Sequence, residues 1–148
     1  MVIYTVSQIK VAKQQNLEMI SQRVHSQERL IDYWIMERVR NVRELSQNEI
    51  FQTLDEQRMK AVFNLKQQHD KNFDALSYID KDGVLKISTL SSEIKYTLTS
   101  GQPYFKEAIA GKEFISDVVI GRNSGLPIIN FSVPIFDQDG KFQGLIVG

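Results

Sequence analysis

Apolar residues recur at near-helical spacing along the first third of the chain, at Leu17, Ile20, Val24, Ile31, Trp34, Ile35, Val42 and Leu45. Steps of three and four residues place them on one helix face, and no glycine or proline precedes Gly83 to interrupt it. The pattern predicts one long helix from about Thr5 to Leu45, reaching about 60 Å at 1.5 Å per residue. Lys13, Gln14, Gln15, Gln27 and Glu28 break the stripe. Its first half is therefore expected to project or to pack on another chain, and the stretch from Ile31 to Val42, with Tyr33 and Trp34, to be packed. An ordinary amphipathic helix of a bundle fits the same spacing.

Ser46 and Glu49 stand at capping-box spacing and predict a short helix over Asn48 to Leu54. Asp55 is the expected cap of a further helix, with Met59, Val62, Phe63 and Leu65 on its apolar face and its end near His69. After Asp70 the period changes to two. Phe73 to Ile79 reads as a first strand, Asp80 to Gly83 as a glycine turn, and Val84 to Ser88 as the strand that pairs back. Thr89 to Ser100 is polar and reads as a connection. Pro103 suits the first turn of a short helix over Tyr104 to Ala110, which Gly111 ends. Phe114 to Ile120 reads as a strand. Leu126 to Phe136 reads as another, with Pro127 and Pro134 near its ends, where a ladder N–H is least needed. Asp137 to Gly140 is a second glycine turn before a last strand, Phe142 to Val147. Strands joined by tight turns pair antiparallel. The expectation is an α+β chain: a helical segment over residues 1–45, then residues 46–148 around a five-stranded antiparallel sheet with short helices.

Composition narrows the function. With 148 residues the chain can bury a sizeable core. The 18 basic residues balance 18 acidic ones, which gives no electrostatic footprint for nucleic acid or an anionic membrane. The absence of cysteine removes disulfides, thiolate metal sites and cysteine nucleophiles. No apolar run is long enough to span a bilayer. The start, Met1 to Val6, is too short for a signal peptide and reads as a chain end or the tail of a membrane helix.

Chemistry-bearing motifs are few. His25 and His69 lack partners at metal-ligand spacing. Asp80 and Asp82 fail as a calcium loop, because Val84 takes a ligand position and Gly83 comes too early. No G-x-S-x-G and no phosphate loop occurs, so neither an enzyme nor a cofactor is expected. The candidates for a small-molecule site are Tyr104 and Phe105 on the short helix, with Gln102 just before it. Tyr78, Tyr96, Asp117, Asn130 and Ser132 could add contacts. Tyr104 joins an apolar body to a polar tip. Alternation sets Asn130, Ser132 and Pro134 on one face of their strand and Ile129, Phe131 and Val133 on the other. Asn130 and Ser132 thus either line a pocket or face water.

Five segments in order resemble the Cache family of extracellular, PAS-like sensor domains: Trp34 to Arg38, Tyr78 to Val84, Gln102 to Ala108, Gly111 to Asp117 and Gly125 to Val147. The resemblance implies a PAS-like sheet behind a long N-terminal helix, outside the membrane of a bacterial or archaeal receptor. It also implies flanking membrane helices, an output that is a histidine kinase, chemoreceptor or diguanylate cyclase, and a small organic ligand between sheet and short helix. Pairing of two copies through the long helix, and a second sensor unit after Gly148, are further expectations. Amino-acid-binding members carry an arginine before the proline, then tryptophan and tyrosine; here Gln102, Tyr104 and Phe105 stand in those places. A dimerisation module with no small ligand, or a cytoplasmic PAS-type interaction domain, is the alternative.

Overall fold

A computed structural model describes residues 6–90, 98–121 and 124–148. Four helices and seven strands follow in order: α1 (Val6–Ser46), α2 (Glu49–Gln52), α3 (Glu56–His69), β1 (Ser77–Asp80), β2 (Leu85–Ser88), α4 (Pro103–Ile109), β3 (Phe114–Ile115), β4 (Val119–Ile120), β5 (Pro127–Ile128), β6 (Phe131–Phe136) and β7 (Phe142–Val147). By compactness the chain divides into Met1–Glu37 and Arg38–Gly148.

In the first unit the apolar stripe of α1 is exposed at Leu17, Ile20, Val24 and Ile31. Tyr33 is exposed as well and Trp34 is 39% exposed, whereas Val39, Val42 and Leu45 are buried. Burial therefore begins about four residues later than the aromatics suggested; the aromatic pair marks exposed surface.

The second unit is built on a five-stranded antiparallel sheet in the order β2-β1-β7-β6-β3. The α+β expectation holds, and both Asp–Gly turns join paired strands. Asp80 Oδ1 accepts the N–H groups of Asp82 and Val84, and Gly83 takes φ 81°. Asp137 Oδ1 does the same for Asp139 and Lys141. In each, one carboxylate replaces the ladder where the chain reverses.

Three expectations change. Ser46 is the last residue of α1, and its hydroxyl donates to the Arg43 carbonyl at 2.8 Å. Asn48 is the N-cap of α2, accepting from Ile50 N–H at 2.9 Å. The first strand begins at Ser77, not Phe73. The two long strands are each broken: Phe114–Ile120 into β3 and β4, Leu126–Phe136 into β5 and β6. The breaks face each other, for Ser116 Oγ accepts from Asn130 N–H at 2.8 Å and donates to the Asp117 carbonyl at 2.7 Å. Beyond that point β4 and β5 pair only with each other.

Register sorts the sheet into two faces, since directly paired residues share a face. One face carries Tyr78, Ile87, Ile146, Val133 and Ile135. A side chain on Gly148, which exchanges hydrogen bonds with Phe131, would run into Phe73 and Val42, so the end of α1 lies on this side. Phe51 and Phe63, of α2 and α3, are fully buried with ring centroids 5.2 Å apart. The other face carries Ile79, Leu85 and Leu145, which form one cluster with Phe105 and Ala108 of α4. Pro134 sits in β6 opposite Leu145. Among the described residues β3 pairs only with Phe131 and Ser132, so Pro134 occupies a position with no described strand outside it to receive a proton.

Candidate functional site

The α4 face gathers most of the residues nominated from sequence. Thr99 ties the lead-in of α4 to the β1–β2 turn: its N–H and hydroxyl both donate to the Gly83 carbonyl, at 2.6 and 3.0 Å. Gln102 then takes an extended conformation and offers its backbone carbonyl to Phe105 and Lys106 N–H. Its side chain makes no capping hydrogen bond. Pro103 follows at the first helical turn, where its missing N–H costs nothing. Gly111, at φ 77°, lets the chain leave the helix.

Phe105 is buried and meets Phe142 edge to face, centroids 6.1 Å apart. Tyr104 is half-buried and packs against the cluster that Phe105 helps to form. α4 thus covers an apolar rung of the sheet, Leu85, Ile79 and Leu145.

The neighbouring rung is polar. Reading across the strands, it runs Ser88, Ser77, Val147, Ser132, Phe114. Ser77 Oγ donates to Ser88 Oγ at 3.1 Å. Ser132 is 1% exposed, and its hydroxyl has no hydrogen-bond partner among the described residues. An unpaired hydroxyl in that position costs about 1–3 kcal/mol of desolvation. Half-buried Asn130 lies two residues before Ser132, at the break between β5 and β6.

Two nominated residues lie elsewhere. Tyr78 is 3% exposed on the opposite face, where its ring lies over Gly144 and its hydroxyl donates to the Gln143 carbonyl at 3.0 Å. Burial first, then the charges of Asp80 and Glu56, pushes its phenol up to about 12. Asp117 is exposed in the link between β3 and β4. Tyr96 lies outside the described residues.

Sequence reading missed Ser77 and Ser88. The signal was available in the alternation of β1, where Ser77 shares a face with Ile79. It also missed the Arg43–Glu113 pair, whose distance in sequence leaves no local trace. Among the described residues no group of three metal-ligating side chains forms, and no helix is long and apolar enough to cross a membrane.

Solved structures similar to this chain include sensor and ligand-binding domains. The sensor domain of the Vibrio cholerae histidine kinase DctB aligns over 90% of the chain at TM-score 0.71 and 16% identity. The ligand-binding domain of the Pseudomonas fluorescens chemoreceptor CtaA, solved with L-isoleucine, aligns over 94% at 0.73 and 15%. The fold is that of chemoreceptor and histidine-kinase sensor domains. An extracellular ligand-binding receptor from Desulfohalobium retbaense shares it over 73% of the chain, at TM-score 0.63 and 20% identity. The chain spans 55% of the DctB structure, 58% of the CtaA structure and 20% of the Desulfohalobium one. No family model and no curated protein matches the sequence. The fold expected from the Cache resemblance is thus borne out.

Proposed function

We propose that the chain is a Cache-type sensor domain that binds a small organic molecule between α4 and the sheet, with no catalytic activity of its own. The observation that carries this reading is the buried Ser132 hydroxyl in the polar rung, on the sheet face that α4 covers and against whose apolar cluster Tyr104 packs. A buried hydroxyl without a protein partner suits a hydrogen-bonding guest. The sensory neighbours support the reading, since the CtaA domain was solved with amino acids. The site residues on this view are Tyr104, Gln102, Phe105, Asn130 and Ser132.

In the full protein the domain would stand outside the cell membrane, joined to membrane helices and to a kinase, chemoreceptor or cyclase output. Residues 1–45 would serve signalling and pairing, and residues 46–148 sensing. A ligand that closes α4 on the sheet shifts the balance between two conformations only if it binds them with different affinity. The exposed Leu17, Ile20, Val24 and Ile31 favour a further role for the helix in pairing two copies. Truncating residues 1–27 and measuring self-association tests that role.

Melting of the wild type and of Tyr104→Ala against a library of amino acids, organic acids, amines, sugars and purines tests the sensor. A compound at 100 times its dissociation constant stabilises by about 2.7 kcal/mol. A hit that Tyr104→Ala loses establishes the site. A flat response across the library leaves the helix as the working part.

A further inference from the structure

The exposed stripe of α1 has the spacing of a helix-pairing seam. Leu17, Ile20, Val24, Gln27, Ile31 and Trp34 follow one another at steps of three, four, three, four and three. That is the a and d alternation of a heptad repeat, with Leu17, Val24 and Ile31 at a and Ile20, Gln27 and Trp34 at d. The helix is unbroken across all six positions. Leu17, Ile20, Val24 and Ile31 are each more than half exposed, and a contiguous apolar strip left in water marks an interaction surface. Leu30 and Ile35, at g and e, widen the strip beside Ile31 and Trp34. Lys10 and Lys13 hold the two preceding seam places and close it at that end. At the other end the next place falls on buried Arg38.

The polar residues in and beside the seam say what covers it. A second copy running parallel and in register sets Gln27 against Gln27, and the two carboxamides satisfy each other, one donating where the other accepts. An antiparallel copy centred on the same seam sets Gln27 against Val24, and a parallel copy slipped by one heptad sets it against Ile20 or Trp34. In those arrangements a covered amide meets only apolar atoms and is desolvated without return. The charges point the same way. Arg23 stands at g and Glu28 at e. In a parallel pair each g residue lies beside the e residue five places further along the partner, so Arg23 of each copy meets Glu28 of the other. Antiparallel helices bring g to g and e to e, and like charges approach. Within its own chain Glu28 reaches exposed His25 through Oε2 at 3.4 Å, a contact long enough to yield to an arginine.

We propose that the stripe from Leu17 to Trp34 takes a second copy of this chain, parallel and in register, with Gln27 fixing the register and the Arg23–Glu28 pairs fixing the direction. The inference rests on the pairing role proposed above and sharpens it; it does not depend on any ligand. The apolar positions supply the affinity. The polar ones select a single arrangement, at some loss of strength. The seam covers fewer than three heptads, less than the three to four or so that mark a free-standing coiled coil. The association is therefore weak and depends on chain concentration.

The chain has no cysteine, so single substitutions give unambiguous cross-links. Ile20→Cys is oxidised with diamide alone and in a mixture with Ile31→Cys. Parallel pairing sets position 20 against itself, so Ile20→Cys links to its own kind. Antiparallel pairing sets position 20 against position 31 and links only the mixture. Sedimentation equilibrium over a range of concentrations is run on the wild type, Arg23→Glu, Glu28→Arg, the double exchange and Gln27→Leu. Circular dichroism checks that each variant keeps its helix. Ile20→Cys is expected to link to itself. Each single charge reversal should weaken association about fivefold, the scale of two exposed ion pairs lost, and the double exchange should restore it. Gln27→Leu should associate more tightly and, placed in both cysteine variants, should let the mixed link appear. Cross-links confined to the mixture without Gln27→Leu overturn the parallel direction and leave the pairing role standing. Association indifferent to the charge exchange and to Gln27→Leu overturns the seam. A chain that stays monomeric at every concentration and gives no cross-link removes both this inference and the pairing role, while the ligand reading keeps its own melting test.

Discussion

Arg43 near the end of α1 and Glu113 at the start of β3 meet in a two-armed ion pair, seventy residues apart. Arg43 Nε donates to Glu113 Oε1 at 2.5 Å and Nη2 to Oε2 at 2.7 Å. Glu113 lies two residues beyond Gly111, which ends α4. The pair therefore joins the loop that leaves α4 to the helix on the opposite face of the sheet. Both side chains are partly exposed, so the pair is worth about 1 kcal/mol or less. Its geometry matters more than its energy: a fork of this kind transmits position, which a lysine cannot reproduce. Arg43→Lys is expected to leave melting within a few degrees of wild type. On the sensor reading proposed above, it should reduce the output evoked by a ligand while leaving the ligand's affinity unchanged.

The same pair has a pH signature. The hydrogen bonds from Arg43 hold the Glu113 carboxyl below its ordinary range, against a smaller opposing effect of burial. A depressed folded pKa means that the stabilisation is present above the unfolded glutamate value of about 4.3. It fades as the pH falls through the lower folded value. Urea midpoints measured from about pH 6 to about pH 3 should therefore decline less steeply in Glu113→Gln than in wild type. Parallel curves would show that the pair contributes nothing.

Tyr78 offers a spectroscopic check on the face assignment. The chain has five tyrosines. A free tyrosine ionises near pH 10, whereas Tyr78 should stay protonated until about 12. An ultraviolet titration of Tyr78→Phe should lack that last step. The variant gives up the bond to Gln143, at about 0.5–1.5 kcal/mol. Gly144→Ala should be much worse, because its Cβ would lie 2.3 Å from the Ile79 carbonyl oxygen. Equal losses would mean that the Ile79 carbonyl does not approach Gly144 this closely.

Capping separates the two serine and asparagine candidates at the α1–α2 junction. Asn48→Ala removes the acceptor for Ile50 N–H and should cost about 1 kcal/mol. Ser46→Ala loses a hydroxyl that only donates to a carbonyl one turn back, and should cost less. A larger loss for Ser46→Ala would restore the capping-box reading.

Core truncation should be severe on the helical side. Phe63→Ala empties a fully buried site against Phe51 and is expected to cost about 3–5 kcal/mol. Guanidinium unfolding, followed by circular dichroism, reads it directly. A loss below about 1 kcal/mol would mean that the site collapses onto the gap.

What the sequence made legible was local. Asp80 and Asp137 announce their turns because one carboxylate satisfies two N–H groups within four residues. Pro103 and Gly111 bracket α4 for equally short-range reasons. The breaks between β3 and β4 and between β5 and β6 were hidden, because Ser116 and Asn130 find each other across two strands and neither is a breaker by itself. Trp34 misled for the same reason, since an aromatic reports apolar area and not what covers it. Alternation set Ser132 and Pro134 on one face, as their register with Val147 and Leu145 has it, but Asn130 falls at the break before β6, where alternation no longer applies. It could not say which face of β1 would meet them, so Tyr78 was nominated and its neighbour Ser77 passed over. An unpaired hydroxyl such as that of Ser132 has no sequence signature at all; it exists only once every neighbour is placed.

Pro134 has a consequence for how copies of this sheet can meet. Short β3 leaves the outer side of β6 uncovered past Ser132, which would otherwise be a template for a passing chain. With a proline there, an incoming strand finds no donor and a ring in its path. Fibril-like stacking through that margin is interrupted within one residue of where it could start.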